Sequence, residues 1–393
     1  MSSRVRQLYQ SDLLYVGPTG FQGFTYPATG ALSNITGNYG NIAAGTSGIN
    51  LICQLHRITK VDDSWSRKLT NVNQIGQLAA IDRVTIEQPT VNLNISWIQN
   101  NMVNENLIGL TVANPNSSQQ VSCISGILAG LTEPLNYFNK ITAEGTDAIS
   151  LNPANYDVIS MGNAFIESYT ANGRVGEFPT VDVTFRALNM QAQSVTQSVG
   201  AQTPAVFPGS GTPVNWGYNL PTGITSFNNQ GVSSQTFGIS ALRPGDIQLN
   251  LGLGAGDLLG DPNDIKVQSY SLSIPFNRED LLKLGSKYAY AIVPRFPLDV
   301  TLSVDAIIGN NATGMLTEIV NNNKGFNPTI IINLPGTSTP IVSYQLLNAK
   351  LQDNTFSQST SATYRTLRMS FVTQIGGPSD NQNGITMSGI TVV

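Results

Sequence analysis

Charge, histidine and cysteine are all scarce in this 393-residue chain. Asp, Glu, Lys and Arg together make up 11% of it, against about 25% in an ordinary soluble domain. The 20 Lys and Arg form no basic run. That excludes a protein that grips nucleic acid by neutralising phosphates, which needs basic residues gathered on one face. The single histidine, His56, lies beside Arg57 in what reads as an alternating strand, and no nucleophile elbow points to it. Ser-His-Asp, Cys-His and His-based zinc sites therefore have no support. Cys53 and Cys123 form no CxxC and are too few for a disulfide scaffold. They read as small buried apolar residues, and a single bridge between them stays open. No 18-residue apolar stretch occurs, and the opening Met1-Ser-Ser-Arg-Val-Arg-Gln is not followed by an apolar segment. The expectation is a soluble chain with no membrane span and no export signal.

In place of charge the chain carries 39 Asn and 37 Gly, with 40% hydrophobic residues, 14 Phe, 13 Tyr, 3 Trp and a net charge of -4. Such an aromatic, weakly charged composition is not that of a disordered chain, and the length allows two cores. The charges are unevenly spread: residues 13–55 and 187–242 have none. Both stretches are rich in Gly, Pro, Asn, Ser, Thr and Gln, without clear periodicity. A mobile linker is one reading. The aromatics favour the other, an arm lying on a neighbouring subunit. A solvated linker gains nothing from Tyr15, Phe21, Phe24, Tyr26, Phe207, Trp216, Tyr218 and Phe227.

Each uncharged stretch precedes a segment built on one plan. The first runs from Gln54 through Gly76 and Pro89 to Ile98, the second from Ile265 through Gly285 and Pro297 to Ile307. Gly76 and Gly285 lie 209 residues apart, and at that offset Val91, Leu93, Ile95 and Trp97 fall on Val300, Leu302, Val304 and Ala306. Polar Asn92, Asn94 and Ser96 fall on Thr301, Ser303 and Asp305. This alternation predicts the same half-buried strand twice. Ahead of the glycines, Ser66–Ile75 and Asn277–Leu284 each begin with a capping-type residue and predict short helices. Two hairpins follow in matching order, Asn163–Thr170 with Phe178–Leu188 and Ser343–Leu351 with Ala362–Phe371. Helices are expected at Ser122–Leu131, Glu133–Asn139 and Gly314–Asn321. The fold class that results is mainly β (β-rich α+β), two copies of one β unit with a helix, over 1–190 and 191–393. The first carries an N-terminal arm (13–55) and the second follows an uncharged arm or linker (187–262).

Chemistry is harder to find. The run from Leu251 to Pro262 fits neither a dinucleotide fingerprint nor a P-loop and reads as a turn. Asp257, Asp261, Asn263 and Asp264 miss the spacing of an EF-hand. Glu87, Glu105, Glu167 and Glu177 supply carboxylates for glycosidase chemistry, but nothing singles out a pair. Sequons at Asn34, Asn94, Asn116 and Asn311 are expected by chance in so Asn-rich a chain. No catalytic residue, cofactor or metal is expected.

Four segments carry a resemblance: Leu8–Pro18, Gly76–Ala79 with Pro89–Ser96, Gly130–Phe138, and Val175–Val183 with Leu188-Asn-Met. In order and texture they resemble the tail tube (major tail) proteins of tailed bacteriophages. The resemblance covers the first half, and the repeat extends it to the second. It implies β-sandwich or barrel domains with a flanking helix, closing into rings whose inner strands surround a lumen, with arms reaching to the next ring. The location it implies is the virion tail, with the host cytoplasm during assembly. Partners would be further copies of the chain and other tail proteins, while DNA passes without specific binding. Six single-domain subunits commonly make such a ring, so two domains per chain imply three chains. A lumen that conducts DNA should be polar and neutral to acidic, because each Lys or Arg in it would make a phosphate contact. Asn92, Asn94, Ser96, Thr301, Ser303 and Asp305 are the expected lumen face, the alternative being that they look outward. Tyr15, Phe21, Phe24, Tyr26, Trp216 and Tyr218 are the expected arm contacts. Competing readings are another virion shell component, capsid or decoration protein, and a β-sandwich that binds or hydrolyses glycans.

Overall fold

The computed structural model describes residues 12–19, 52–114, 121–130, 132–142, 155–196, 201–214, 217–218, 220, 242, 244–252, 265–308, 324–357, 366–377, 380 and 382–389. It is mainly β, with 60% of the described residues in strands and 5% helical. The first half contains β1 (Leu13–Pro18), β2 (Cys53–Gln54), β3 (Ile58–Ser66), β4 (Leu69–Val72), β5 (Asp82–Thr85) and β6 (Thr90–Ile98). Two short helices follow, α1 (Val103–Leu107) and α2 (Ser125–Leu128), then β7 (Leu135–Ile141), β8 (Asn155–Arg174), β9 (Thr180–Ala187), β10 (Asn189–Thr196), β11 (Ala201–Gln202) and β12 (Gly217–Tyr218). The second half contains β13 (Ile247–Asn250), β14 (Ile265–Pro275), β15 (Arg278–Leu281), β16 (Ala291–Pro294) and β17 (Leu298–Ile308). It ends with β18 (Thr329–Asn333), β19 (Pro340–Leu347), β20 (Lys350–Ser357), β21 (Thr366–Ile375) and β22 (Gly384–Gly389).

Eight antiparallel strands form one continuous surface in the order β3-β6-β9-β8-β14-β17-β21-β20. A second layer has two parts, β2-β1-β7-β8-β10, using the first part of the 20-residue β8, and β13-β18-β19-β22. The sheets are open; none closes into a barrel. Strict alternation drives the layering, because every second side chain of a strand points to the same face. Val91, Leu93, Ile95 and Trp97 on β6 and Val300, Leu302, Val304 and Ala306 on β17 are all at most 2% exposed. Each such aliphatic side chain removed from water is worth roughly 1.5–3 kcal/mol. Against them pack second-layer residues of the same core, including Tyr137 on β7 and Tyr344 on β19. The ring centroids of Tyr137 and Phe185 on β9 are 4.6 Å apart, and those of Phe326 and Phe371 on β21 are 5.8 Å apart.

The two halves agree in small irregularities as well as in strand order. β3 slips register against β6 between Ile58 and Lys60, and β14 slips against β17 between Val267 and Ser269, 209 residues on. A second slip falls between Ile166 and Ser168 on β8 and between Leu351 and Asp353 on β20, 185 residues on. Asn163 and Asn348, also 185 apart, both take positive φ, at 55° and 49°. Phe185 faces Leu93 across its ladder, and Phe371 faces Leu302 across the corresponding one.

Several expected helices are strands. Ser66–Ile75 and Asn277–Leu284 contribute β4 and β15, the first arms of two hairpins. Gly76 and Gly285, at φ 91° and 80°, serve as turn glycines of those hairpins, a conformation for which glycine has no Cβ penalty. Glu133–Asn139 became β7, whose seven residues are all buried; so short a run lacks the length that separates a helix from a buried strand. Within Ser122–Leu131 only Ser125–Leu128 is helical. The stretch Gly314–Asn321 lies outside the described residues. His56 is not in a strand: it lies between β2 and β3, just before a bend at Arg57, whose φ is 53°.

The uncharged stretches are not arms throughout. β1 and β10 are full members of the second layer, and residues 201–214 pack on the first half, where Asn136 donates to Thr203 at 2.8 Å and Val206 N donates to Asn163 Oδ1 at 2.8 Å.

Candidate assembly face

The outward face of the eight-stranded surface is polar. Asn92, Asn94 and Ser96 on β6 and Thr301, Ser303 and Asp305 on β17 all lie on it, two patches separated by β9, β8 and β14. Between and around them stand Asp62, Asp182, Thr184, Thr170, Asn172, Ser271, Ser273, Ser370 and Arg368. Four cations here are held against carboxylates. Lys60 lies 2.5 Å from Asp62, Arg368 lies 2.9 Å from Asp305, and Arg174 lies 3.9 Å from Glu177. Arg186 sits between Glu167 at 2.8 Å and Asp280 at 2.9 Å. Exposed pairs of this kind add little stability, but they cancel the charge that a polyanion would seek.

This surface ends in two bare edges. Among the described residues β3 pairs only with β6, and β20 only with β21. The inward-facing Trp65 on β3 is 61% exposed, whereas Ile274, the residue 209 positions on in β14, is fully buried against β8. Edge strands offer unpaired N–H and C=O groups to any extended chain. Asp63, also inward-facing, is half-buried, and burial pushes its carboxyl above the usual range. An inward charge at a sheet edge discourages promiscuous pairing.

Two hairpins hang from the surface. β15–β16 docks on the first half: Arg278 Nε donates to Ile166 O at 2.7 Å, its guanidinium pairs with Glu133, and both of these side chains are buried. Asp280 accepts from Gln88 at 2.9 Å and from Arg186 at 3.1 Å. Ile292 joins a small cluster with Leu188 and Val206. By contrast β4–β5 is exposed along both strands. At the tips Ile75 and Leu284, again 209 apart, are each fully exposed.

A strongly perturbed carboxyl belongs to Glu105, on α1. Burial pushes its carboxyl up to about 7. It accepts from Tyr169 Oη at 3.2 Å and from Gln99 Nε2 at 3.4 Å, and the Tyr169 and Tyr344 hydroxyls are 2.7 Å apart. Gln99 also bonds Tyr344. All four side chains are shut from solvent. The cluster ties β8 to β19, and so the first half to the second, without an opening for substrate.

The other candidate carboxylates are scattered: Glu87 pairs with Lys68 at 3.1 Å, Glu167 with Arg186, and Glu177 with Arg174. His56 is held by Asn104, which accepts from its backbone N–H at 2.9 Å and donates to its carbonyl at 2.8 Å, and burial keeps the imidazole well below its usual pKa. Cys53 and Cys123 are free and buried, so no bridge joins them. Among the described residues no three His, Cys, Asp or Glu gather as a metal site, and no helix is long and apolar enough to cross a membrane.

One expected arm contact is corrected. Tyr15 is 1% exposed in a cluster with Ile52, Phe138 and Val158 and belongs to the chain's own core. Phe21, Phe24, Tyr26, Trp216 and Phe227 lie outside the described residues, as do Asp257, Asp261, Asn263 and Asp264. Tyr218 is placed in β12, opposite Ala201. Phe207 stands 46% exposed on a turn. What the sequence reading missed were the two edges; an aromatic at the inward position of β3, Trp65, was the signal for one of them. No family model matches the chain, and no curated protein matches it in sequence.

Proposed function

We propose that this chain is a tail tube subunit of a tailed bacteriophage, with two copies of one tube domain, that assembles head to tail into stacked rings around a lumen for DNA. The observation that carries the reading is the junction of β8 with β14, which runs from Ser168↔Pro275 to Arg174↔Ser269. It joins the last strand of the first four to the first strand of the second four. The same two edges, β20 and β3, are left over at the ends. Repeating the junction between chains pairs β20 of one copy with β3 of the next. The offsets of 185 and 209 set the register: Ser66 opposite Asp353, Ser64 opposite Thr355 and Asp62 opposite Ser357. That contact is heterologous and propagates until a ring closes.

Offsets that hold along each strand (209 for β3 and β6, 185 for β8, 186 for β9), shared register slips and matching strand order support the duplication. The number of chains per ring, three, follows from the six-domain rings of the family that the sequence resembles. The polar face with its neutralised cations suits a wall along which a polyanion slides without the counterion release that would hold it. The exposed apolar tips at Ile75 and Leu284 suit contacts between stacked rings. Electron microscopy of concentrated purified protein tests the proposal. Tubes or stacked rings with threefold symmetry are expected, and closed shells or persistent monomers would overturn it. An Asn94→Cys variant then reports the lumen: in end-capped tubes its thiol should resist reagents that label it in open ones.

A further inference from the structure

We infer that the β4–β5 hairpin of one copy plugs into the cleft of about 1020 Å³ beside β20 and β21 of a second copy. The occupant is identified by an arrangement already present inside the chain, and the inference rests on the head-to-tail reading above. Within the chain, β15–β16 touches the first half around Gln88, Glu167, Arg186 and Leu188. Moved by the offsets that relate the two halves, 209 for Gln88, 185 for Glu167 on β8, and 186 for Arg186 and Leu188, the spacing that carries Phe185 on β9 to Phe371 on β21, these positions become Pro297, Gln352, Val372 and Gln374. All four line the same cleft. The element that corresponds to the docked hairpin is β4–β5, and it is bare.

The chemistry of plug and socket changes on both sides together. Where Asp280 meets Arg186 inside the chain, the corresponding residues are Asn71 and Val372, so neither side would bury an unpaired ion. Where apolar Ile292 meets Leu188, the corresponding residues are Arg83 and Gln374. The cleft that would receive Arg83 carries two carboxylates, Asp299 and Asp380, and one cation, Lys350. A hairpin whose neighbour was solvent would have no reason to change in step with a surface on the far side of the chain.

Two cysteine pairs test this separately from the ring itself. Asn71→Cys with Val372→Cys spans plug and socket, and Ser66→Cys with Asp353→Cys spans the strand junction; the native cysteines are buried. With a short bis-maleimide, assembled protein of both variants should give ladders of covalent multimers. A ladder from the strand pair but none from the hairpin pair overturns the plug and leaves head-to-tail pairing standing. No ladder from either overturns both. Replacing residues 70–84 by a short Gly-Ser turn provides a second readout. The exposed hairpin should be dispensable for the monomer fold, while the protein concentration needed for assembly should rise at least about tenfold, or 1.4 kcal/mol. Unchanged assembly would overturn the plug.

Discussion

The two hairpins at the 209-residue offset have the same strands, the same turn glycine and opposite surroundings. β15–β16 is anchored by a buried ion pair, a carboxylate shared between Gln88 and Arg186, and an apolar cluster. Among the described residues β4–β5 is anchored only by its own ladder and the Lys68–Glu87 pair at its base. The strands beside them differ in the same way: β14 is sandwiched between β8 and β17, while among the described residues β3 has a neighbour on one side only. Strand alternation and the turn glycine alone do not separate the members of either pair. What separates them is whether the described chain itself supplies the neighbour, and on the head-to-tail assembly proposed above the bare member of each pair is where a second copy would sit.

The sharpest way to break this comparison is at Arg278. Its side chain is 1% exposed and that of its partner Glu133 is 4% exposed. Arg278→Ala leaves a buried carboxylate without its counter-ion, a loss of about 3–5 kcal/mol. Leu69→Ala, at the corresponding place in the exposed hairpin, should change the stability of the monomer by less than about 0.5 kcal/mol. Urea unfolding of the two variants checks this; equal losses would mean that the hairpins are not differently anchored.

Next in size is the tie between the halves. Glu105 has a folded-state pKa of about 7 against an ordinary 4.5, so the fold prefers the protonated carboxyl. Its stabilising effect is complete below pH 4.5 and is lost as the pH rises through 7. At 1.36 kcal/mol per unit the loss is about 3 kcal/mol. Glu105→Gln keeps the shape without the titration. The melting temperature of the wild-type protein should fall between pH 5 and 8 relative to that of the variant, and the variant should be the more stable at pH 8. Parallel curves would show that the carboxyl does not titrate in this range.

Most of the main sheet was legible before any coordinates. Period-2 alternation at Val91–Trp97 and Val300–Ala306 announced β6 and β17, and the hairpin β8–β9 was visible as a paired strand signal. The second expected hairpin, Ser343–Leu351 with Ala362–Phe371, is corrected: Ser343–Leu347 belongs to β19, which pairs with β18 and β22 in the second layer, and β21 pairs instead with β20. The polar alternates were rightly placed on one face. Capping-type residues ahead of Gly76 and Gly285 misled, because Ser, Asn and Gly open turns as readily as they bound helices. Absence of charge misled as well. It marked Tyr15 and its neighbours as an arm, whereas a strand inside a second layer needs no charge either. The Glu105 cluster could not be seen, since its four residues come from α1, the end of β6, β8 and β19 and meet only through tertiary packing.

The smallest effect, and the one that bears most directly on the bare edge, is expected at Asp63. This residue occupies on β3 the position that Leu272 occupies on β14, where the side chain is fully buried. In the isolated chain Asp63 is partly covered, pairs opposite Leu93 on β6 and already has a raised pKa. Pairing β20 of a second copy against β3 would bury it further, at a cost of about 1–3 kcal/mol for a polar group left without a partner. Asp63→Leu removes that cost and reproduces the internal junction. The concentration at which rings form should then fall by roughly tenfold or more, while monomer stability changes little. Light scattering across a dilution series reads the threshold directly. A threshold that stays put or rises would mean that β3 is not the edge that receives the next copy, and the likeness between the internal junction and the open edges would then end at their strand order.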